Sequence, residues 1–339
     1  MKNIFKASRI AITLALIAAT SAIPITFAKS SDQQTVNQVP GYYHHMVGDF
    51  MVTAIYDGYI NLSPSLLKGI TAKDIQTLFS RMFIVEEKDG VQTAINAYLV
   101  NTKEGLVLID TGSAKCLGST MGNIVDNIHA AGYTPETVKT ILLTHLHPDH
   151  ACGLSSADGK AAFPNATVYI SQEEKDFWLN PAMSASAPEK DRSFFKMAQD
   201  SVAPYIATKT LRTFKIGDNI VPGIEAMPTF GHTAGHTSFR IHSGNNNMLI
   251  WGDIVHSYSV QFKRPEVSIE FDADHDKAIE ARKYVFKKAS QDKWLIGAAH
   301  LPFPGIGHIR KDEQGYTWVP IEYSNFLEKI INAEIGCCI

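Results

Sequence analysis

The chain of 339 residues has only four cysteines, Cys116, Cys152, Cys337 and Cys338. They are too few and too unevenly placed for a disulfide scaffold, so the fold needs a core of its own. There is no excess of charge either. Lys and Arg number 31 against 34 Asp and Glu, a formal net charge of -3, with no run of one sign. Nucleic acid and anionic membrane surfaces, which favour clustered Lys and Arg, therefore lose their electrostatic case as partners. Long apolar runs are missing apart from Ile10 to Ala22, which is short for a membrane span. At 45% hydrophobic residues, there is material for a sizeable core in one large domain or two small ones.

Lys2, Lys6 and Arg9 precede that apolar run and Thr26-Phe27-Ala28 follows it, the layout of a secretory signal peptide over residues 1–28. The expected location is periplasmic or secreted, with no membrane attachment after cleavage. Residues 29–41 are polar and read as a flexible lead-in. At the other end, residues 325–339 form a tail with the vicinal pair Cys337-Cys338, to which no role is assigned.

What the chain does have is Thr144-His145-Leu146-His147-Pro148-Asp149-His150, four metal-binding side chains in six residues. Val138 to Leu143 before it is β-branched and apolar, a buried strand. In an extended segment His145 and His147 share a side, so both imidazoles reach one ion. Pro148 ends the strand, and the turn it forces sends Asp149 and His150 toward a second position. Imidazole with carboxylate suits Zn, and also Fe, Mn or Co. Cys152 reads as small-hydrophobe packing; a metal role and a bridge to Cys116 are the alternatives.

The rest of the chain repeats the theme of strands ending in metal-capable groups. A strand over Phe50 to Tyr56 closes at Asp57-Gly58. A helix runs from Thr71 to Phe83, with Thr71 as its cap. A hairpin over Ala97–Val100 and Leu106–Ile109 ends in Asp110. A helix follows around Met121 to Ala131, and Thr167–Ile170 is a further strand. Phe177 to Tyr205 is loop-like or helical, its aromatics serving the core or a substrate wall. Thr229 to Thr237 holds two Gly-His pairs. His232 reads as a further ligand and His236 as a group that orients a neighbour through a hydrogen bond. The strands Met248–Trp251 and Trp294–Ala299 lead to Asp253 and His300, with a helix over His275 to Gln291 between them. His44, His45, His129, His242, His256, His275 and His308 show no comparable partners and receive no role. Alternating strands and helices with polar strand ends describe a layered α/β fold with its site at one edge.

With these residues in order, the chain resembles the metallo-β-lactamase superfamily over residues 42–324, and within it the methyl parathion hydrolase and quorum-quenching lactonase group. The resemblance implies an αββα sandwich with the metals at one edge between two mixed sheets. It also implies a homodimer. Carried over, His145, His147 and His232 hold one divalent ion, Asp149, His150 and His300 hold another, and Asp253 bridges. Zinc is the first expectation. Asp110 and His236 support the ligands, and Asp149 or Asp253 steers the proton. A bridging Asp speaks against penicillin-type substrates, and His147 against the flavodiiron branch, which has Glu there. Phe230 and Ala234 depart from the commoner Pro-Gly-His-Thr-Pro-Gly-His form. Two ions about 3.5–4 Å apart share a hydroxide of near-neutral pKa, so the implied activity is hydrolysis of an ester or lactone, or of a phosphotriester. The rivals are a mononuclear iron persulfide dioxygenase and a glyoxalase-type thioester hydrolase.

Overall fold

The computed structural model describes residues 38–324; the expected signal peptide, most of the expected lead-in and the C-terminal tail lie outside the described residues. Two compact units divide the chain, Met1–Val39 and Pro40–Ile339, and everything below concerns the second.

Its first sheet has seven strands in chain order: β1 (Tyr42–Val47), β2 (Phe50–Leu62), β3 (Val91–Thr102), β4 (Gly105–Ile109), β5 (Val138–Leu142), β6 (Thr167–Ser171) and β7 (Leu211–Phe214). The first four are antiparallel neighbours, and β4 through β7 run parallel. The second sheet is again sequential: β8 (Ile224–Pro228), β9 (Thr237–Ser243), β10 (Asn246–Ile250), β11 (Leu295–Gly297), β12 (Ile306–Lys311) and β13 (Tyr316–Pro320). Only β10 and β11 pair in parallel, and helix His275–Asp292 lies between them in sequence.

Strand periodicity explains the layering. Tyr98, Val100, Val107 and Ile109 pack with Phe239, Ile241, Met248 and Ile250 between the sheets. Their alternates Leu99, Leu106 and Leu108 face helices Ile124–Ala130 and Arg192–Ala207. In the second sheet Leu249 and Trp251 turn instead toward Val285 and Phe286 of helix His275–Asp292. Side chains that alternate faces thus fill three core layers and make the αββα sandwich. Such strands, buried on both faces, read as unbroken apolar runs. Among the described residues no helix is long and apolar enough to cross a membrane.

Three expectations need correcting, and one open reading is decided. The first sheet opens at Tyr42, not Phe50, and Asp57-Gly58 is a bulge within β2 rather than its end. The bulge turns Asp57 inward, where its carboxylate accepts from Ser113 N, Gly122 N and Asn123 N. Pro148 does not end a strand. β5 stops at Leu142, and Pro148 opens the short helix Pro148–Ala151 with His147 extended before it. Cys152 is not a free packing thiol, because it is disulfide-bonded to Cys116. The stretch from Phe177 is mainly helical. Trp178, Phe195 and Tyr205 join the core, while the Trp178 and Phe194 rings also lie 5.4 and 6.5 Å from that of His147.

Candidate metal centre

All seven predicted ligands come together at the sheet ends. Asp253 is the hub, and its two oxygens face opposite ways. Oδ2 lies 3.1 Å from His232 Nε2 and 3.7 Å from His145 Nε2. Oδ1 lies 2.9 Å from His150 Nε2 and 3.1 Å from His300 Nε2. His147 Nδ1 is 2.9 Å from His232 Nε2 on the first side, and Asp149 Oδ2 is 3.5 Å from His150 and from His300 on the second. Two donor groups result, His145–His147–His232–Asp253 and Asp149–His150–Asp253–His300, each able to hold a metal ion.

The tautomers follow from the opposite ring nitrogens. His300 Nδ1 donates to the Ala94 carbonyl, His150 Nδ1 to Asp110 Oδ2 and His232 Nδ1 to Asp272 Oδ1. Thr144 Oγ1 gives its one proton to Asp110, so it accepts from His145 Nδ1. Each of these four rings therefore turns Nε2, the nitrogen not committed to its support, toward Asp253. The Nε2 atoms of His145, His150 and His300 are buried without a hydrogen bond, as is Asp253 Oδ1. Imidazole nitrogens and a carboxylate converging in a buried site fit a cation, which would displace any proton they hold without metal.

Burial holds His147 down to about 3 and His145 well below its ordinary range. Burial would lower His232 too, but Asp253 and Asp272 outweigh it and raise it to about 9. His150 likewise ends well above the usual imidazole value, through Asp253, Asp149 and Asp110. Without metal these rings keep a proton that an ion must displace. Metal affinity is thus expected to rise as pH climbs toward about 9, by roughly tenfold per pH unit for each proton released. Competition against a chromophoric chelator between pH 6 and 9 reads this, and a flat profile contradicts it.

The supports also take shape. Asp110 follows β4 in a left-handed conformation (φ 62°) that Asp tolerates better than most residues. It accepts from Thr144 N as well as from His150. His236 is not a ligand: its Nε2 accepts from Asp253 N at 2.9 Å, and its Nδ1 faces Thr229 O. Gly252 makes that approach possible, since a Cβ there would sit 2.6 Å from His236 Nε2. The His300 loop is tied across the sandwich by Asn96, whose Nδ2 donates to the Ala298 and Leu301 carbonyls.

Three contributors have no counterpart in the sequence reading. His256, given no role from the sequence, has Nε2 3.0 Å from Asp253 Oδ2 and stacks on His300. Its i+3 spacing from Asp253 was the available signal. Asp272 fixes His232, and Glu174 is fully buried between the ligand loops. Beside His256 and His300 opens a cavity of about 340 Å³ with apolar walls from Leu62, Leu67, Phe79, Ile84 and Phe303.

An αββα sandwich carrying this imidazole and carboxylate cluster at its strand ends defines a metal-binding protein. The chain belongs to the metallo-beta-lactamase superfamily, whose family model matches residues 90–300. It is 43% identical to a solved hydrolase of the beta lactamase superfamily, AbOPH, with a TM-score of 0.81 over 85% of this chain and 100% of that one. It is 28% identical, at a TM-score of 0.78 and the same coverage, to AidC, a dizinc quorum-quenching lactonase solved with a product. An N-acyl homoserine lactonase of Bacillus sp is 27% identical over 173 residues, 45% of this chain. The chain spans 60% of the length of that curated relative.

Proposed function

We propose that the protein is a dinuclear metal-dependent hydrolase of neutral lactones and esters. The observation that carries the proposal is Asp253, whose two oxygens serve two separate groups of histidines. The dizinc lactonase neighbour supports zinc as the metal. Bound in these two groups, a pair of divalent ions supplies an ionised water at neutral pH and polarises the oxygen that gains charge.

The residues of the chain divide the remaining work. His145, His147 and His232 would hold one ion and Asp149, His150 and His300 the other, with Asp253 shared. Asp149 is the most exposed of the site carboxylates, its side chain 16% accessible against 3% for Asp253. Asp149 is therefore the carboxylate assigned to take the proton released on attack. The cavity beside His300 binds the substrate, and its apolar walls exclude water around the reacting carbonyl.

The lining of that cavity selects among substrates. Tyr56, Thr93, Ser257, Tyr258 and Ser259 supply polar groups, but no Lys, Arg, Asp or Glu is among the described residues that line it. An uncharged ring or acyl chain fits such walls, and a carboxylate held against the apolar walls, away from the ions, would be desolvated without a Lys or Arg partner. The same argument disfavours the glyoxalase and persulfide dioxygenase readings, whose thiol-peptide substrates carry carboxylates. Export remains part of the proposal; the Cys116–Cys152 disulfide supports it, because such bonds persist in oxidising compartments.

A panel of an N-acyl lactone, an aryl ester, a neutral phosphotriester and a carboxylated lactone tests the reading. Turnover of the neutral lactone or ester without oxygen consumption is expected, with kcat/KM at least about tenfold lower for the carboxylated analogue. Oxygen uptake with one iron per chain contradicts it. Turnover of the phosphotriester alone would move the substrate assignment from carbon to phosphorus.

A further inference from the structure

Glu174 is 0% exposed, yet nothing in the chemistry above uses it. It sits in the first turn of helix Gln172–Trp178, three residues after the cap Ser171. Its carboxylate does not return to the cap. Oε2 accepts from Leu146 N at 2.9 Å, and Oε1 accepts from Thr233 Oγ1 at 2.5 Å and Gly235 N at 2.8 Å. Leu146 stands between His145 and His147, and Thr233 follows His232. One carboxylate thus joins the two loops that carry a single donor group.

Ser171 reinforces the same junction. Its Oγ donates to the Gly235 carbonyl at 2.9 Å, and a Cβ on Gly235 would meet that oxygen at 2.2 Å. The helix start is pressed against the Gly-His loop with no space left over. The second donor group is held by other means: His150 by Asp110 and His300 by the Ala94 carbonyl. Among the described residues, the Glu174 carboxylate accepts no hydrogen bond from that half.

We propose that Glu174 is the positioning residue of the His145–His147–His232 half, fixing the separation of two loops that one ion must span. The inference rests on the dinuclear reading and deepens it. Two of the three donors are backbone N–H groups, so the carboxylate sets the course of the chain rather than the angle of a ring. Glutamine cannot replace it, because its amide NH2 would face Leu146 N on one side or Thr233 and Gly235 on the other.

Zn(II) and Co(II) titration of the full chain, with the two sites resolved by Co(II) absorption and by anomalous diffraction, tests this. In Glu174→Gln, affinity at the His145–His147–His232 site is expected to fall at least about tenfold, while the Asp149–His150–His300 site stays within about threefold. Thr233→Val, which deletes one of the three bonds, should shift the same site in the same direction by less. Equal weakening of both sites, or no change at either, overturns the proposal. If Glu174→Gln fails to fold, Thr233→Val decides alone: a selective shift supports the proposal and its absence overturns it. A wild type that binds fewer than two ions sinks the underlying reading, and this one with it.

Discussion

Replacing Asp253 with alanine is expected to lower hydrolysis by more than about 100-fold and to leave at most one metal ion per chain. The lower bound comes from the 10- to 100-fold cost of losing a mere supporting partner of a ligand; Asp253 is placed as a ligand on both sides. Its removal withdraws the charge facing five imidazoles at once, those of His145, His150, His232, His256 and His300. In the metal-free protein Asp253 is also what keeps His232 and His150 protonated against the burial that would neutralise them. The variant should therefore lose metal and also bind fewer protons at neutral pH. Metal analysis with kcat measurement reads the first effect, and histidine NMR titration the second. Unchanged kcat with one ion per chain contradicts the dinuclear scheme.

Asp110→Asn should follow, at about 10- to 100-fold in metal affinity and activity. The substitution is chosen because Asn also tolerates the left-handed backbone at this position, so the fold is not the variable. Asp110 accepts from His150 Nδ1, Thr144 N and Thr144 Oγ1. An amide offers one oxygen and one NH2, so a donor must meet a donor somewhere in the set. If it meets His150, that ring loses the tautomer that aims its lone pair at the ion. If it meets Thr144, the fixing of His145 loosens instead. Either outcome weakens binding, and the first confines the loss to the Asp149–His150–His300 half. A lowered melting temperature with metal affinity unchanged would show that Asp110 is only structural.

The candidate site residues were legible because most sit within a local pattern, an apolar strand followed closely by His or Asp. β4, β10 and β11 deliver Asp110, Asp253 and His300 in this way, and alternation along those strands also fixed the three core layers. What stayed hidden was set by partners distant in sequence. Glu174 lies in Ser171-Gln172-Glu173-Glu174, the spacing of an ordinary capping box, and nothing local reveals that its carboxylate reaches Leu146 and Gly235. Asp272 looks like a turn residue until His232 arrives from 40 positions away. His256 receives no role from the sequence, although the bend after Gly252 folds it back onto Asp253. The Cys116–Cys152 bridge was undecidable from spacing, since the loop that brings Cys116 back is anchored by Asp57 through a bulge that the sequence does not announce.

The central claim is that one carboxylate is shared by two cations. Anomalous diffraction at the zinc edge, on crystals of protein grown with the metal, tests it most directly. Two peaks should flank Asp253, one ringed by His145, His147 and His232 and the other by Asp149, His150 and His300. A single peak, or a pair that leaves either Asp253 oxygen uncoordinated, would contradict the account.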